Sequence, residues 1–199
     1  MAKLYFNYGC MGSTKTLSLL TSAYQFEEKN ISFLCLKPSI DVRSEMIESR
    51  VGIKRECLNI SDKTDIFSLI KKFIETSDAL MEDKLKWIFV DECQFLTEEQ
   101  VEQLSMIVDY LDVNVSCYGL RTDFQTKLFP ASKRLFEIAD TITEIKSPCS
   151  CGRKTIVNAR FDKEGKIIVN GSQVMIGGNE LYKPICRKCW REKVKDCLI

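Results

Sequence analysis

The chain has 199 residues, 45% of them hydrophobic and 29% charged, with a formal net charge of +1. That length holds one medium domain with at most a small appendage, and the composition supplies enough apolar side chain for a packed core. Near-neutral charge argues against a dedicated nucleic-acid binder. With no apolar run of about 18 residues, and with Met1-Ala2-Lys3 leading directly into a strand-like segment, neither a membrane span nor a signal peptide is expected, and the expected location is cytoplasmic.

Charge is divided unevenly. Residues 146–199 carry 12 Lys and Arg against 5 Asp and Glu, whereas the residues before them carry 17 against 23. A boundary is therefore expected near residue 146, with one domain over 1–146 and a smaller basic one over 147–199. Ten cysteines stand in a chain without histidine. Cys10, Cys35, Cys57, Cys93, Cys117 and Cys197 are scattered, mostly within apolar runs, where a cysteine behaves as a small core hydrophobe. Cys149, Cys151, Cys186 and Cys189 form two pairs in the basic part, where metal binding is expected rather than disulfides.

Lys3 to Tyr8 reads as a short strand bounded by Gly9. Gly9-Cys10-Met11-Gly12-Ser13-Thr14-Lys15-Thr16 follows, with the frame G-x-x-x-x-G-K-[ST] of a phosphate-binding loop, except that Thr14 stands where the second glycine belongs. Such a loop turns backbone N–H groups onto phosphate oxygens at a helix N-terminus, with its lysine on the outer phosphates and its hydroxyl on Mg²⁺. Leu17, Leu20, Ala23, Tyr24 and Phe26 recur at helical spacing and predict a helix from Lys15 to about Lys29. Ile31 to Leu36 reads as a buried strand, so the loop has the strand–loop–helix setting it requires, in a βαβ unit of a parallel sheet. Thr14 leaves two outcomes open. At positive φ its β-branched side chain strains the loop by about 1–3 kcal/mol, and at negative φ the loop forms almost unchanged.

Lys37 to Arg43 is a loop by its proline and charges, in which Asp41 and Arg43 read as solvated surface. Glu56 to Ile60 is a strand candidate, and Ile66, Leu69, Ile70, Phe73 and Ile74 place an amphipathic helix over Asp65 to about Leu80. Trp87 to Val90 is an apolar strand that ends in two carboxylates, Asp91 and Glu92. Ligands of open parallel sheets bind outside the carboxyl ends of strands, so this pair and the Gly9 loop are expected to face one crevice, with an acid holding Mg²⁺. Thr97 to Gln100 forms a capping box for a helix to about Tyr110. Asn114 to Gly119 is a strand, Leu120 to Phe129 a loop, Ser132 to Ala139 a helix and Thr141 to Lys146 a strand. Leu120, Phe124 and Phe129 either anchor that loop or sandwich a planar base.

In the basic part, Cys149-x-Cys151 and Cys186-x-x-Cys189 are separated by 34 residues and offer four thiolates, which close a tetrahedral structural zinc site. Lys154 to Phe161 and Lys166 to Val169 flank Glu164-Gly165 as a hairpin. Gly171 to Asn179, with Gly177-Gly178, is a long loop tethered at the metal site, in the manner of a functional lid.

Together these segments resemble the thymidine kinase family of the second type, the cellular and bacterial kind. Its phosphate loop resembles Gly9 to Thr16, and its Asp-Glu-x-Gln-Phe motif resembles Asp91-Glu92-Cys93-Gln94-Phe95. Its Tyr-Gly-Leu-Arg-Thr-Asp-Phe segment matches Tyr118 to Phe124, and residues 149–154 and 173–180 resemble its bacterial members. The resemblance implies an α/β fold: a P-loop NTPase-like core with a mainly parallel sheet flanked by helices, plus a small zinc-ribbon-like β lobe carrying a lasso loop. It implies transfer of the γ-phosphate of ATP to the 5′-hydroxyl of thymidine. Glu92 would be the general base. Gly9, Cys10, Met11, Gly12, Ser13, Thr14, Lys15, Thr16, Asp91, Glu92, Cys93 and Gln94 would bind ATP, with Thr16 and Asp91 serving Mg²⁺. Met11, Phe95, Leu120, Phe124 and Phe129 would wall the thymine pocket, with Met175, Ile176 and Gly177 on the base edge and Tyr182 on the sugar. Cys149, Cys151, Cys186 and Cys189 would hold Zn²⁺, and Asp41 and Arg43 move into the flexible loop after the second strand. A homotetramer with feedback inhibition by dTTP is implied as well. Two rival readings stand beside it: a zinc-ribbon ATPase acting on nucleic acid, and a weak or inactive nucleotide binder on account of Thr14. The retained Lys15, Thr16, Asp91 and Glu92 favour an active enzyme.

Overall fold

The computed structural model describes residues 1–39, 46–77, 84–173 and 181–195. Its first half runs β1 (Leu4–Tyr8), α1 (Lys15–Glu27), β2 (Phe33–Pro38), β3 (Met46–Glu48), β4 (Lys54–Glu56), β5 (Leu58–Ile60), α2 (Ile66–Ser77) and β6 (Trp87–Val90). After a 3-10 turn at Cys93–Phe95 come α3 (Glu98–Leu111), β7 (Asn114–Gly119), α4 (Pro130–Ile138), β8 (Thr141–Glu144), β9 (Val157–Phe161), β10 (Ile167–Ile168), β11 (Tyr182–Ile185) and α5 (Arg187–Val194).

Six strands form one sheet in the order β5-β2-β6-β7-β1-β8, and every neighbouring pair is parallel. The crossover from β1 to β2 is wider than a simple βαβ unit, because β6 and β7 lie between them. Those two strands take the centre and are almost wholly buried, β7 through small residues such as Ser116, Cys117 and Gly119 as much as through apolar ones. As a result the carboxyl ends of β6, β7 and β1 lie side by side. One face packs Phe6, Ile88, Val90, Val115 and Cys117 against Ile66 and Ile70 of α2 and Val101, Leu104 and Ile107 of α3. The other packs Cys35, Phe89 and Tyr118 against Leu19, Leu20 and Ala23 of α1.

Helix ends follow the sequence closely. Thr97 Oγ1 accepts from Gln100 N at 3.1 Å while Thr97 N donates to Gln100 Oε1 at 3.1 Å, which completes the capping box. Pro130 opens α4 two residues earlier than the apolar spacing indicated, since its missing N–H costs nothing in the first turn. Two faces differ from expectation. Tyr24 is exposed, and Leu19 joins Leu20 and Ala23 in the α1 core instead. Leu69 is likewise exposed, while its neighbour Phe67 packs edge-on to Tyr110 with centroids 6.5 Å apart.

An antiparallel hairpin of β3 and β4, unforeseen in the sequence, is pinned on α1 by buried Ile47 and by an ion pair from Arg55 to Glu27 at 2.6 Å. The basic part forms a three-stranded antiparallel sheet, β10-β9-β11, packed with α5 around Val157, Ala159, Phe161, Ile185 and Val194. Among the described residues, no helix is long and apolar enough to cross a membrane.

Candidate active site

The phosphate-type loop leaves β1 at Gly9, whose N–H donates to Gly119 O at 3.3 Å. A Cβ at Gly9 would collide with Ser13 Oγ and the Ile145 carbonyl, so only glycine fits there. The chain then turns through left-handed backbone at Gly12 (φ +73°) and at Thr14 (φ +65°). The two outcomes left open for Thr14 are thus resolved in favour of strain. Its exposed side chain makes one local bond, a hydroxyl donation to Ser13 O at 2.6 Å, and gives no N-cap to α1. Thr14→Gly is expected to stabilise the protein by about 1 kcal/mol, the left-handed penalty outweighing the extra chain entropy of glycine. Urea denaturation measures it; a destabilised variant would contradict the strained geometry.

The first intrahelical bond of α1 is Ser18 N to Thr14 O, so the amides of Lys15, Thr16 and Leu17 are free of helix partners at the positive end of the dipole. Lys15 is buried, and its Nζ donates to Cys10 O at 2.8 Å. Burial holds its ammonium below the ordinary lysine value, against the opposing charges of Glu92 and Asp91. Asp91, at the end of β6, accepts the Thr16 hydroxyl at 3.1 and 3.3 Å. Burial pushes its carboxyl up to about 7, with the adjacent Glu92 charge adding to the shift.

Glu92 is itself left-handed, at φ +50°, at the mouth of the 3-10 turn. Buried Gln94 orients it. Gln94 Nε2 donates to Glu92 Oε2 at 2.6 Å, and Gln94 Oε1 accepts from Leu120 N at 2.8 Å. The backbone of Gly119 makes room for this clamp, since a Cβ there would sit 2.6 Å from Cys93 Sγ and 2.7 Å from Gln94 Oε1. Gly119→Ala should therefore dislodge Gln94 and lower kcat about 10-fold or more, as small misplacements at reacting groups do. Steady-state kinetics beside a urea melt checks it, and a variant with wild-type kcat would contradict the clamp.

These groups open into a cavity of about 610 Å³. Its phosphate end is lined by Gly12, Thr14, Lys15 and Thr16, and its far end by Met11, Phe95, Leu120, Phe124, Phe129 and Tyr182, with Glu92 and Gln94 also at its surface. Phe95 and Phe129 meet edge-on with centroids 5.9 Å apart, and Arg160 lies over the Phe124 ring at 5.1 Å. Not every expected residue reaches this space. Gly9, Cys10, Ser13, Asp91 and Cys93 stand behind the lining: Cys93 is fully buried against β7, and the buried Ser13 hydroxyl has no hydrogen-bond partner among the described residues. Met175, Ile176, Gly177, Asp41, Arg43 and Cys197 lie outside the described residues.

Three further groups escaped the sequence reading. Ser49 to Val51, at the tip of the β3–β4 hairpin, line the phosphate end, with Arg50 Nη1 3.7 Å from where a Gly12 Cβ would be. Gln173 Nε2 donates to buried Asp123 Oδ2 at 3.0 Å across the far wall. Asn158 of β9 takes the Met11 amide at 2.8 Å. Gln173 and Asp123 lie in segments that resemble the thymidine kinases, but nothing in the sequence pairs them, and Asn158 reads as an ordinary polar position of an alternating strand.

The four paired cysteines converge, with the Sγ atoms of Cys149, Cys151, Cys186 and Cys189 all within 4.8 Å of one another. Cys151 and Cys186 are 3.5 Å apart, near the ~3.8 Å separation of thiolates tetrahedrally bound at 2.3 Å. Cys186 caps α5, accepting from Cys189 N at 3.5 Å, and that amide lowers its thiol below the usual range. The Cys151 and Cys186 amides lower Cys149 to about 6. The cluster can hold a metal ion.

A family model for thymidine kinase matches residues 2–190. The chain is 44% identical to a thymidine kinase of Shewanella oneidensis over 98% of its length and 100% of that protein. It is 46% identical to a thymidine kinase of Enterobacteria phage T4, covering 98% of each, and 42% identical to one of Agrobacterium fabrum, covering 96% and 97%. A phosphate-type loop bonded to Asp91 through Thr16 and sharing one cavity with Glu92, and full-length likeness to these proteins, lead to one conclusion: the chain belongs to the thymidine kinase family.

Proposed function

We propose that this chain transfers the γ-phosphoryl group of ATP to the 5′-hydroxyl of thymidine, giving ADP and dTMP for nucleotide salvage. The observation that carries the reading is the single cavity, which has phosphate-loop residues at one end, an aromatic wall at the other and Glu92 at its surface. ATP places its phosphates on the amides of the Gly9–Thr16 loop and on Lys15, which exchanges its bond to Cys10 O for the outer phosphates. Glu92, held by Gln94, accepts the proton of the attacking hydroxyl. Met11, Phe95, Leu120, Phe124 and Phe129 hold the base, Tyr182 closes the sugar side, and Met175, Ile176 and Gly177 read the base edge.

The donor set at the phosphate end, a hydroxyl beside carboxylates, suits Mg²⁺. Thr16 and Asp91 would hold it, directly or through water, and it would neutralise charge on the transferring phosphoryl group. Four thiolates suit Zn²⁺ in a structural role, with no open position. The division into a 1–146 ATP-binding domain and a 147–199 metal lobe belongs to this reading. So do a cytoplasmic location, a homotetramer and inhibition by dTTP.

The inactive-binder alternative is not favoured. Thr14 occupies its left-handed position with its side chain exposed, and Lys15, Thr16, Asp91 and Glu92 are assembled around it. The test is an acceptor panel with γ-labelled Mg-ATP. Label should pass to thymidine and not to deoxyadenosine; label released only as inorganic phosphate would contradict the proposal.

A further inference from the structure

We infer that Asn158 is the positioning residue through which the metal lobe sets the shape of the phosphate loop, so that metal occupancy tunes nucleotide binding. The inference rests on reading Gly9–Thr16 as the nucleotide loop. Asn158 lies on β9, opposite Pro184 of β11, the strand that runs directly into Cys186. It is 3% exposed, between Val157 and Ala159 of the lobe core. A buried amide is costly unless its polar atoms are paired. Asn158 pairs them outside its own lobe. Its Oδ1 accepts the Met11 N–H at 2.8 Å, and its Nδ2 donates to Thr122 O at 3.3 Å. One lobe side chain thus holds both the phosphate loop and the loop that carries the aromatic wall.

Other contacts cross this seam, among them Gln173 Nε2 to Asp123 Oδ2 at 3.0 Å and Lys154 Nζ to Glu144 at 2.6 Å, but neither touches the phosphate loop. Arg121 reaches Ile156 O only at 3.5 Å, and between the two parts lies a small cavity of about 10 Å³ lined by Cys10, Arg121, Glu144, Thr155 and Asn158. The buried cluster of the lobe includes two of the thiols themselves, Cys149 and Cys186. A core that small depends on its metal for order. With the lobe ordered, the Met11 N–H is turned toward Asn158, and that fixes where the following amides of Gly12, Thr14 and Lys15 begin. When the metal leaves, β9 loosens, the Met11 amide is released, and the cradle must be ordered by the nucleotide itself at a cost in affinity.

The test is a coupling cycle read by calorimetry with Mg-ATP and no thymidine, so that turnover plays no part. Removing the metal from the wild-type protein by chelation should weaken Mg-ATP about 10-fold, within the range found for supporting residues of metal sites. Asn158→Leu, checked by mass spectrometry to retain one metal per chain, should weaken it by a similar factor, and stripping that variant should add less than about twofold. Asn158→Asp keeps the acceptor for Met11 N–H but loses the donor to Thr122 O, and should fall between wild type and Asn158→Leu. Hydrogen exchange at the Met11 amide should quicken in the stripped wild type and in Asn158→Leu, but not in Asn158→Asp. Equal stripping effects in wild type and Asn158→Leu, or wild-type affinity in metal-loaded Asn158→Leu, would overturn the inference and leave the nucleotide loop standing. No binding of Mg-ATP by the metal-loaded wild type would overturn both.

Discussion

Glu92→Gln is expected to lower kcat for thymidine phosphorylation by about 10²–10⁴-fold, the usual contribution of a positioned general base, while leaving substrate affinities within about threefold. The substitution is close to isosteric and preserves the clamp. A glutamine at this position still offers an oxygen to Gln94 Nε2, and Gln94 Oε1 still accepts the Leu120 amide. What is lost is the ability to take the proton of the 5′-hydroxyl. The neighbouring acid cannot easily substitute, because Asp91 is buried and committed to the Thr16 hydroxyl. Steady-state kinetics with calorimetric titration of each substrate separates the two effects. A variant within tenfold of wild-type kcat would remove Glu92 from the chemistry.

Cys186→Ser, or removal of the metal, should raise the KM for thymidine by about 100-fold and that for ATP by only about 10-fold, the two ends of the range found for supporting residues of metal sites. Serine preserves an N-cap for α5, so the change isolates loss of a metal ligand from loss of the cap. Structural Zn²⁺ supplies folding free energy outright, so a lobe built around Val157, Ala159, Phe161 and Ile185 should loosen without it. Tyr182 and Gln173 line the cavity from this part of the chain, whereas Asn158 is the proposed link from it to the phosphate loop. Equal effects on the two substrates, or no effect on either, would detach the lobe from recognition. Less than half an equivalent of zinc per purified native chain would remove the metal from the picture.

The parts of this protein legible in its sequence are those whose chemistry is local. A phosphate loop must be continuous, an acid at a strand end follows its strand, and thiols on a turn are close in sequence; hence Lys15, Thr16, Asp91, Glu92 and the four cysteines that converge stood out. The fold class followed from apolar runs for the same reason. Tertiary choices were hidden. The separation of β1 from β2 by two strands is a choice of long-range pairing, and β7, with Asn114, Ser116 and Gly119, does not announce itself as a central strand. The β3–β4 hairpin has short strands, one of them the charged Lys54-Arg55-Glu56, so no alternation announced it. Asn158 gains its role from a partner 147 residues away. Thr14 shows the converse: its departure from the loop pattern was visible at once, and only the backbone revealed that it adopts a left-handed geometry that glycine would take without strain.

The most direct measurement is the stoichiometry of products from purified protein, Mg-ATP and thymidine. One thymidine 5′-monophosphate should form for each ADP, with both falling together in Glu92→Gln. ADP formed without the monophosphate, or transfer undiminished in the variant, would contradict a cavity that joins the two substrates at Glu92.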